Sequence, residues 1–397
     1  FGYHNVVMNF DYTPDKFTVI DGLILGSKTI IGLVFLFGLS IGRKYLTWMC
    51  IESVQFVYLT RFLIYGASES LRQTYDVVGV LGFNFMPNPL KEIKMSIEHA
   101  SQIPPQKFLE NNLPSSFFHN SGNYMILLIA ILFLTLIVRS FKDSMTTGAL
   151  NVIYNSFDKT QIIRFWLSLW PFLLMGGMLQ LSHSAFEGAA EYISSILSII
   201  FCIFMGVSLV LLILSAPKPK KYSKTYKPDS QPTIFDELKD SKFISRGFLV
   251  IIALAKIAYG CFLVFLTDNT YAQIGATIGS RVLVLLTAGC GLPYKVKRDN
   301  LIHIVLFALE IIILGSLMLH HMDWDDKGEV NFFTHATMGL VILHICAVFF
   351  FTIYQMIWLR QPTFITKKIP FPTYGTKKRM PDYKGRRLQI IQRRKEK

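Results

Sequence analysis

An all-α polytopic membrane bundle of about nine transmembrane helices, N-terminus outside and C-terminus cytoplasmic, is the fold class this sequence predicts. Three observations predict it. The chain of 397 residues is 52% hydrophobic and 17% charged, with a mean hydropathy of +0.41; that leaves too little polar surface to cover a soluble globule. Apolar stretches close to the roughly 20 residues that cross a hydrocarbon core recur along it. The loops between them alternate in charge, which sorts Lys and Arg to the cytoplasmic face. The alternation is clearest in the block 246–359, whose apolar segments cover 247–266, 274–292, 301–319 and 337–359. Lys218, Lys220, Lys221, Lys224 and Lys227 precede the first segment, and Lys295, Lys297 and Arg298 separate the second from the third. Asp268, and then Asp323, Asp325, Asp326 and Glu329, fall on the other side.

In chain order, residues 1–16 read as an ordered outer lead-in and 17–66 as a first transmembrane hairpin with spans at 17–41 and 45–65. Glu52 and Arg61 interrupt the second span, for which an amphipathic interfacial helix is the alternative. Residues 67–123 form an outer insert; Pro87, Pro89, Pro104, Pro105 and Pro114 make it a region of turns and loops more than of continuous helix. Residues 124–215 hold three spans, at 124–138, 162–181 and 189–215, with 144–159 as an amphipathic connector. Trp166 and Trp170 read as interfacial anchors and Pro171 as a kink. Residues 216–245 form a cytoplasmic linker rich in Lys and Pro, with a short helical turn at 234–238.

The tail 360–397 carries 13 Lys or Arg against Asp382 and Glu396, which is most of the formal surplus of +14. That placement favours anionic lipid headgroups or an acidic protein as its partner and disfavours nucleic acid. Cys50, Cys202, Cys261, Cys290 and Cys346 all fall in apolar segments and read as buried small hydrophobes, not as disulfides or zinc ligands.

Charges inside the spans need partners. Lys256 and Glu310 each lie about ten residues from the inner face, so a rise of about 1.5 Å per residue puts them at matching depth. Arg281 comes from the opposite side and lands slightly further out. An unpaired charge there costs at least about 2.5 kcal/mol, so the three are expected to face the bundle as one cluster, either a structural lock or the lining of a pathway. Lys28 with Glu52, and Asp21 with Arg61, read as structural pairs within the first hairpin. Gly22 with Gly26, and Gly275 with Gly279, have the spacing that lets helix backbones approach closely.

At the outer mouth of the last two spans, His320, His321, Asp323, Asp325, Asp326 and Glu329 crowd together, with His335 behind. Imidazoles and carboxylates concentrate cations or hold a divalent ion. No recognised metal spacing is present, so a solvated rim is expected and no metal or cofactor is assigned. His303 and His344 read as satisfied packing residues. No Walker loop, GxSxG elbow, HExxH helix or dinucleotide fingerprint occurs, so no catalytic residue is assigned and an enzyme is not expected.

Five stretches carry a resemblance: NFDY at 9–12, FNFMPNP at 83–89, SSFFHNSGN at 115–123, IIRFWLSLW at 162–170 and GLPYKVKRDN at 291–300. Together they resemble the C-terminal multi-span region of very large ciliate cell-surface proteins, which is distantly similar to TRP-like and fungal flavin-carrier membrane proteins. The resemblance implies a helical membrane bundle and lends no catalytic residues.

Two function classes follow. The first is a non-catalytic polytopic component of the plasma or ciliary membrane that anchors or assembles with outer and inner partner proteins, other subunits among them. The second is a TRP-like cation channel or transporter with a charged mid-membrane pathway. The first ranks higher, because a pore needs polar residues repeated along one helix face, and the last four spans read as isolated charges among Leu, Ile, Val and Phe.

Overall fold

The computed structural model of the protein describes residues 44–63, 69–79, 88–92, 104–109, 111, 113–140, 159–183, 188–216, 235, 238–239, 243–322 and 327–358. The expected first span at 17–41, the connector 144–159 apart from its last residue, and the tail 360–397 lie outside them, as do Asp21, Gly22, Gly26 and Lys28. Ten α-helices are formed among the described residues: α1 Lys44–Leu59, α2 Glu69–Gly79, α3 Gln106–Leu109, α4 Phe117–Ser140, α5 Lys159–His183, α6 Ala189–Ser215, α7 Phe243–Phe265, α8 Thr270–Gly291, α9 Lys297–His320 and α10 Lys327–Trp358. Short 3-10 turns at Thr60–Leu63 and Pro89–Glu92 complete the set, and a lone bridge joins Leu238 to Tyr294. The segment 67–123 therefore holds an eleven-residue helix, α2, as well as turns.

Seven of these helices, α4 to α10, are long and apolar enough to cross a membrane, which makes the chain a multi-pass membrane protein by length and composition. The second expected span is different in kind. With its 3-10 continuation α1 runs from Lys44 to Leu63, and its side chains are buried on every face: Leu46, Val54, Val57 and Leu59 are all at 2% exposure or less, and Trp48, Ile51 and Phe56 at 5% or less. A helix encased by others on every face is a core element, so the interfacial alternative does not hold. Its casing is α2, α5, α9 and α10. Around it the outer helices pack in sequence order, α4 on α5, α5 on α6 and α7, α7 on α8, α8 on α9 and α9 on α10.

In lipid, apolar side chains gain little by leaving their neighbours, so helix contacts rely on close packing and polar bonds. Gln180 supplies such a knot. Its Oε1 accepts from the Phe117 backbone N–H at 2.7 Å and from Ser194 Oγ at 2.9 Å, tying α4, α5 and α6 together. Close backbone approach occurs at Gly176, where an added Cβ would collide with Ser121 Oγ, and at Gly260, where it would sit 2.9 Å from Leu174 Cδ2. Nothing among the described residues lies within 4 Å of a Cβ added at Gly275 or Gly279, so their spacing marks no contact with a described helix. α6 is the opposite extreme from α1, with Ile203, Leu211 and Leu214 more than half exposed on a surface suited to acyl chains.

Two more expectations are corrected by this packing. Trp166 and Trp170 are buried at 9% and 0% exposure, not placed at an interface; Trp166 Nε1 donates to Ser208 Oγ at 3.1 Å. Of the five cysteines only Cys50 is buried; Cys290 and Cys346 are exposed, on apolar helix faces.

The turn between α8 and α9 is built by side chains. Asn269 caps α8 at its start, accepting from the Ala272 backbone N–H at 2.9 Å. At its end Leu292 takes a left-handed conformation, φ 43°, ahead of Pro293. Asn300 then clamps the loop, its Oδ1 accepting from the Tyr294 N–H and its Nδ2 donating to Tyr294 O, each at 2.9 Å. Lys239 N–H donates to Pro293 O at 2.8 Å, which brings the end of the 216–245 linker against the same loop.

Candidate functional site

The interior of the bundle is polar in a way that the hydropathy of each helix conceals. Along α10 the buried positions are Thr334, Thr337, Val341, His344, Val348, Thr352 and Gln355, all between 0% and 6% exposed. Their three-and-four spacing is one face of a helix, and five of the seven are polar. From Thr334 to Gln355 this face extends about 32 Å at about 1.5 Å per residue, as long as the hydrocarbon core is thick, about 30 Å. α8 repeats the pattern with Gln273, Thr277 and Arg281, followed by Val284 and Ala288. The sequence expectation of isolated charges among aliphatics holds for whole spans and fails for their buried faces.

Rungs of hydrogen bonds join these faces to α1 and α9. Gln355 Nε2 donates to Thr47 Oγ1 at 2.8 Å, and Thr337 Oγ1 donates to Ser316 Oγ at 3.0 Å. Between them lies the centre of the site. Ser53 on α1 donates its hydroxyl to Glu310 Oε1 on α9 at 2.5 Å, and Ser53 Oγ itself lies 2.9 Å from His344 Nε2 on α10. Glu310 Oε2 sits 3.5 Å from Arg281 Nε on α8, too poorly aligned to be a hydrogen bond, and both atoms are buried without one. The Arg281 guanidinium stacks instead over Phe56, 3.5 Å from the ring centroid. A fully buried carboxylate has room for about four donors; here one hydroxyl and one offset guanidinium face it.

At the next position on α1, Glu52 Oε1 pairs with Lys256 Nζ at 2.8 Å, and Lys256 also donates to Leu167 O at 3.2 Å. The expected cluster of Lys256, Arg281 and Glu310 is thus split. Arg281 and Glu310 do meet, but Lys256 takes Glu52, because Glu52 and Ser53 are adjacent on α1 and point to different neighbours. Among the described residues Glu52 bonds Lys256, and Arg61 bonds Asp76 at 2.9 Å with Asn111 alongside at 2.8 Å; Lys28 and Asp21, their expected partners, lie outside those residues.

A cavity of about 30 Å³ opens beside the Glu52–Lys256 pair, bordered also by Arg164, His303, Tyr45 and Tyr294. Both ring nitrogens of His303 are buried without a hydrogen-bond partner. Its ring stacks on Tyr294 at 4.6 Å between centroids and meets Phe248 edge-on at 5.8 Å. His344 likewise keeps one unpartnered nitrogen, Nδ1. Neither histidine is the satisfied packing residue that the sequence suggested.

At the Asn269 end of the bundle, Lys107 Nζ donates to Gln273 Oε1 at 2.6 Å, and Thr277 Oγ1 donates to Gln273 O at 2.8 Å. Burial lowers the Lys107 amine to about 8, an effect that the nearby Asp268 charge partly opposes. His321 is lowered to about 4, first by burial and then by the charge of His320. Tyr271 donates its hydroxyl to His321 O, and Thr334 Oγ1 lies 3.4 Å from His320 Nδ1. The two histidines of the expected rim therefore belong to the packed end of the bundle. Asp323, Asp325 and Asp326 lie outside the described residues, and Glu329 falls in the first turn of α10. Among the described residues no group of three or more His, Cys, Asp or Glu is placed to hold a metal ion.

Comparison with family models, with curated proteins and with solved structures finds no match to this chain.

Proposed function

We propose that the protein is a membrane transport protein that moves protons along its buried polar seam, with Glu310 as the group that accepts and releases them. The observation that carries this reading is Glu310 itself: fully buried, under-supplied with donors, and joined through the Ser53 hydroxyl to the imidazole of His344. Intramembrane carboxylates and imidazoles are costly to bury and mark proton relays or ion pathways by default. Hydrogen-bonded hydroxyls, imidazoles and carboxylates pass protons without a water-filled bore. A seam whose members are at most 8% exposed suits a proton better than a hydrated cation, so transport here differs from an open TRP-like pore.

The test is proton uptake into liposomes holding the purified protein and a pH-sensitive dye. Wild-type protein is expected to dissipate an imposed gradient, while Glu310→Gln leaves it at the rate of empty liposomes yet still melts cooperatively. Equal fluxes in the two would overturn the reading.

A second reading keeps a specific observation on its side. α1 fills the centre of the bundle, as expected for a non-catalytic component that anchors outer and inner partners. On that reading wild-type liposomes hold their gradient and the polar seam serves only as helix glue. Both readings use nine spans with residues 68–123 outside and the basic tail at the anionic cytoplasmic leaflet. Labelling of introduced cysteines in those two segments on intact cells tests that topology: both labelled from one side would reject it.

A further inference from the structure

We infer that Tyr259 is the group that passes protons between Glu310 and the Asn269 end of the bundle, its phenol hydroxyl being the next station beyond the carboxylate. The inference rests on the proton-carrying reading of Glu310 and names the residue with which that carboxylate exchanges its proton on one side.

Tyr259 lies on the buried face of α7 at 1% exposure, and its hydroxyl is buried without a hydrogen-bond partner. Phenylalanine would fill the same space without stranding a polar atom, and buried tyrosine hydroxyls usually find a partner. The stranded hydroxyl has company. Arg281 Nε and Glu310 Oε2 are also buried and unpartnered, and both residues lie within electrostatic reach of Tyr259. One ring supports the group. Phe56 carries the Arg281 guanidinium 3.5 Å from its centroid and meets the Tyr259 ring at 4.7 Å, with 44° between the planes. The phenol is thereby held beside the charged pair.

The surface of α1 and its 3-10 continuation puts these groups in order. Ser53, Phe56 and Thr60 follow one another at three-and-four spacing on one face, over about 10 Å of rise. Ser53 holds Glu310 at the first level and Phe56 meets Tyr259 at the second; at the third, Thr60 Oγ1 lies 2.9 Å from Tyr75 Oη. Tyr75, on α2, is also within electrostatic reach of Tyr259. At the middle level only the phenol is equipped to relay. Arginine keeps its proton and has no acceptor, whereas a phenol has both a donor and an acceptor. As Glu310 takes up a proton, the Tyr259 O–H bond breaks and its proton bonds to Oε2. A proton arriving from the Tyr75 side forms a new O–H bond, so the phenol ends neutral and one proton has moved. The reverse order carries a proton away from Glu310. The fixed charge of Arg281 beside this station opposes metal cations.

The experiment is the liposome assay with variants at this position. Tyr259→Phe deletes one oxygen and keeps the ring. It is expected to slow proton entry roughly tenfold or more and, because a stranded polar atom is gone, to melt at or above the wild-type temperature. Tyr259→His, whose ring both accepts and donates a proton, is expected to recover part of the lost flux. Wild-type flux in Tyr259→Phe overturns this inference and leaves Glu310 as the carrier. No flux in the wild type removes the role of Glu310 and this one with it. Slowed flux with a lowered melting temperature and no recovery in Tyr259→His makes the hydroxyl structural and overturns the inference too. Site-specific 3,5-difluorotyrosine at 259 keeps ring and hydroxyl and makes the hydroxyl more acidic, so it gives a reading even if Tyr259→Phe does not fold. A shifted pH profile of flux supports the relay, and an unshifted one rejects it.

Discussion

Ser53 donates its hydroxyl to Glu310 at 2.5 Å across 257 residues of chain, and so holds a carboxylate on α9 against the helix at the centre of the bundle. Ser53→Ala removes the one hydrogen-bond donor that Glu310 has. A buried acceptor left without a partner costs about 1 to 3 kcal/mol. Thermal unfolding should show a loss of that order, and the liposome assay should show slower proton entry than wild type.

The Glu52–Lys256 pair should behave as a unit. Removing one partner of a buried pair strands the other charge and costs about 3 to 5 kcal/mol. Lys256→Met and Glu52→Gln are each expected to destabilise strongly, and the double variant by clearly less than their sum. A double-mutant cycle on melting data reads the coupling; strict additivity would mean that the pair is solvated in the working protein.

Lys107 gives the stability a slope on the alkaline side. Its amine titrates at about 8 in the folded protein against the ordinary 10.5, so between those values the unfolded chain binds more protons than the folded one. Stability therefore rises with pH from about 8 to about 10.5. His321, lowered to about 4, gives the same sign on the acid side: stability falls as pH drops from about 6.5 towards 4. Lys107→Met should flatten the alkaline slope and leave the acid one, as measured by unfolding across that range.

Leu292 holds a left-handed backbone at the end of α8, a conformation that costs a branched side chain about 1 to 2 kcal/mol and glycine almost nothing. Leu292→Gly should raise the melting temperature, provided the Asn300 clamp keeps the loop in place.

Glycine positions offer a contrast between contact and open space. Gly176→Val forces a side chain into Ser121 on α4 and should cost about 1 to 3 kcal/mol by overpacking. Gly275→Ala meets nothing within 4 Å and should gain up to about 1 kcal/mol of helix propensity. Melting of the two variants side by side decides whether the GxxxG spacing in α8 has a partner.

The long apolar helices were legible because span length is dictated by bilayer thickness. The structure places α6 at the 189–215 read from sequence, starts the other six three to ten residues earlier than expected, and ends them within two residues of the expected ends. The meeting of Arg281 with Glu310 was also legible, from depth alone. Depth does not fix rotation about a helix axis, and rotation is what gave Lys256 to Glu52 and left Glu310 facing Ser53 and His344. Thr334, Thr337, His344, Thr352 and Gln355 carried a periodic signal that averaging over whole spans erased. Only the choice of face, which depends on neighbours, turns those five residues into a seam.

The encased position of α1 has a consequence for biosynthesis. Its partners Lys256, Glu310, His344 and Gln355 are all translated long after it, and at about 5 to 20 residues per second the ribosome needs roughly 10 to 60 s to make them. Until then Glu52 has neither its ammonium partner nor its packing, and an isolated helix carrying it is a poor resident of lipid. Newly made α1 therefore depends on the insertion machinery or a holding chaperone to shelter it until the last helix arrives, and chains truncated before residue 344 should be cleared by membrane quality control instead of accumulating.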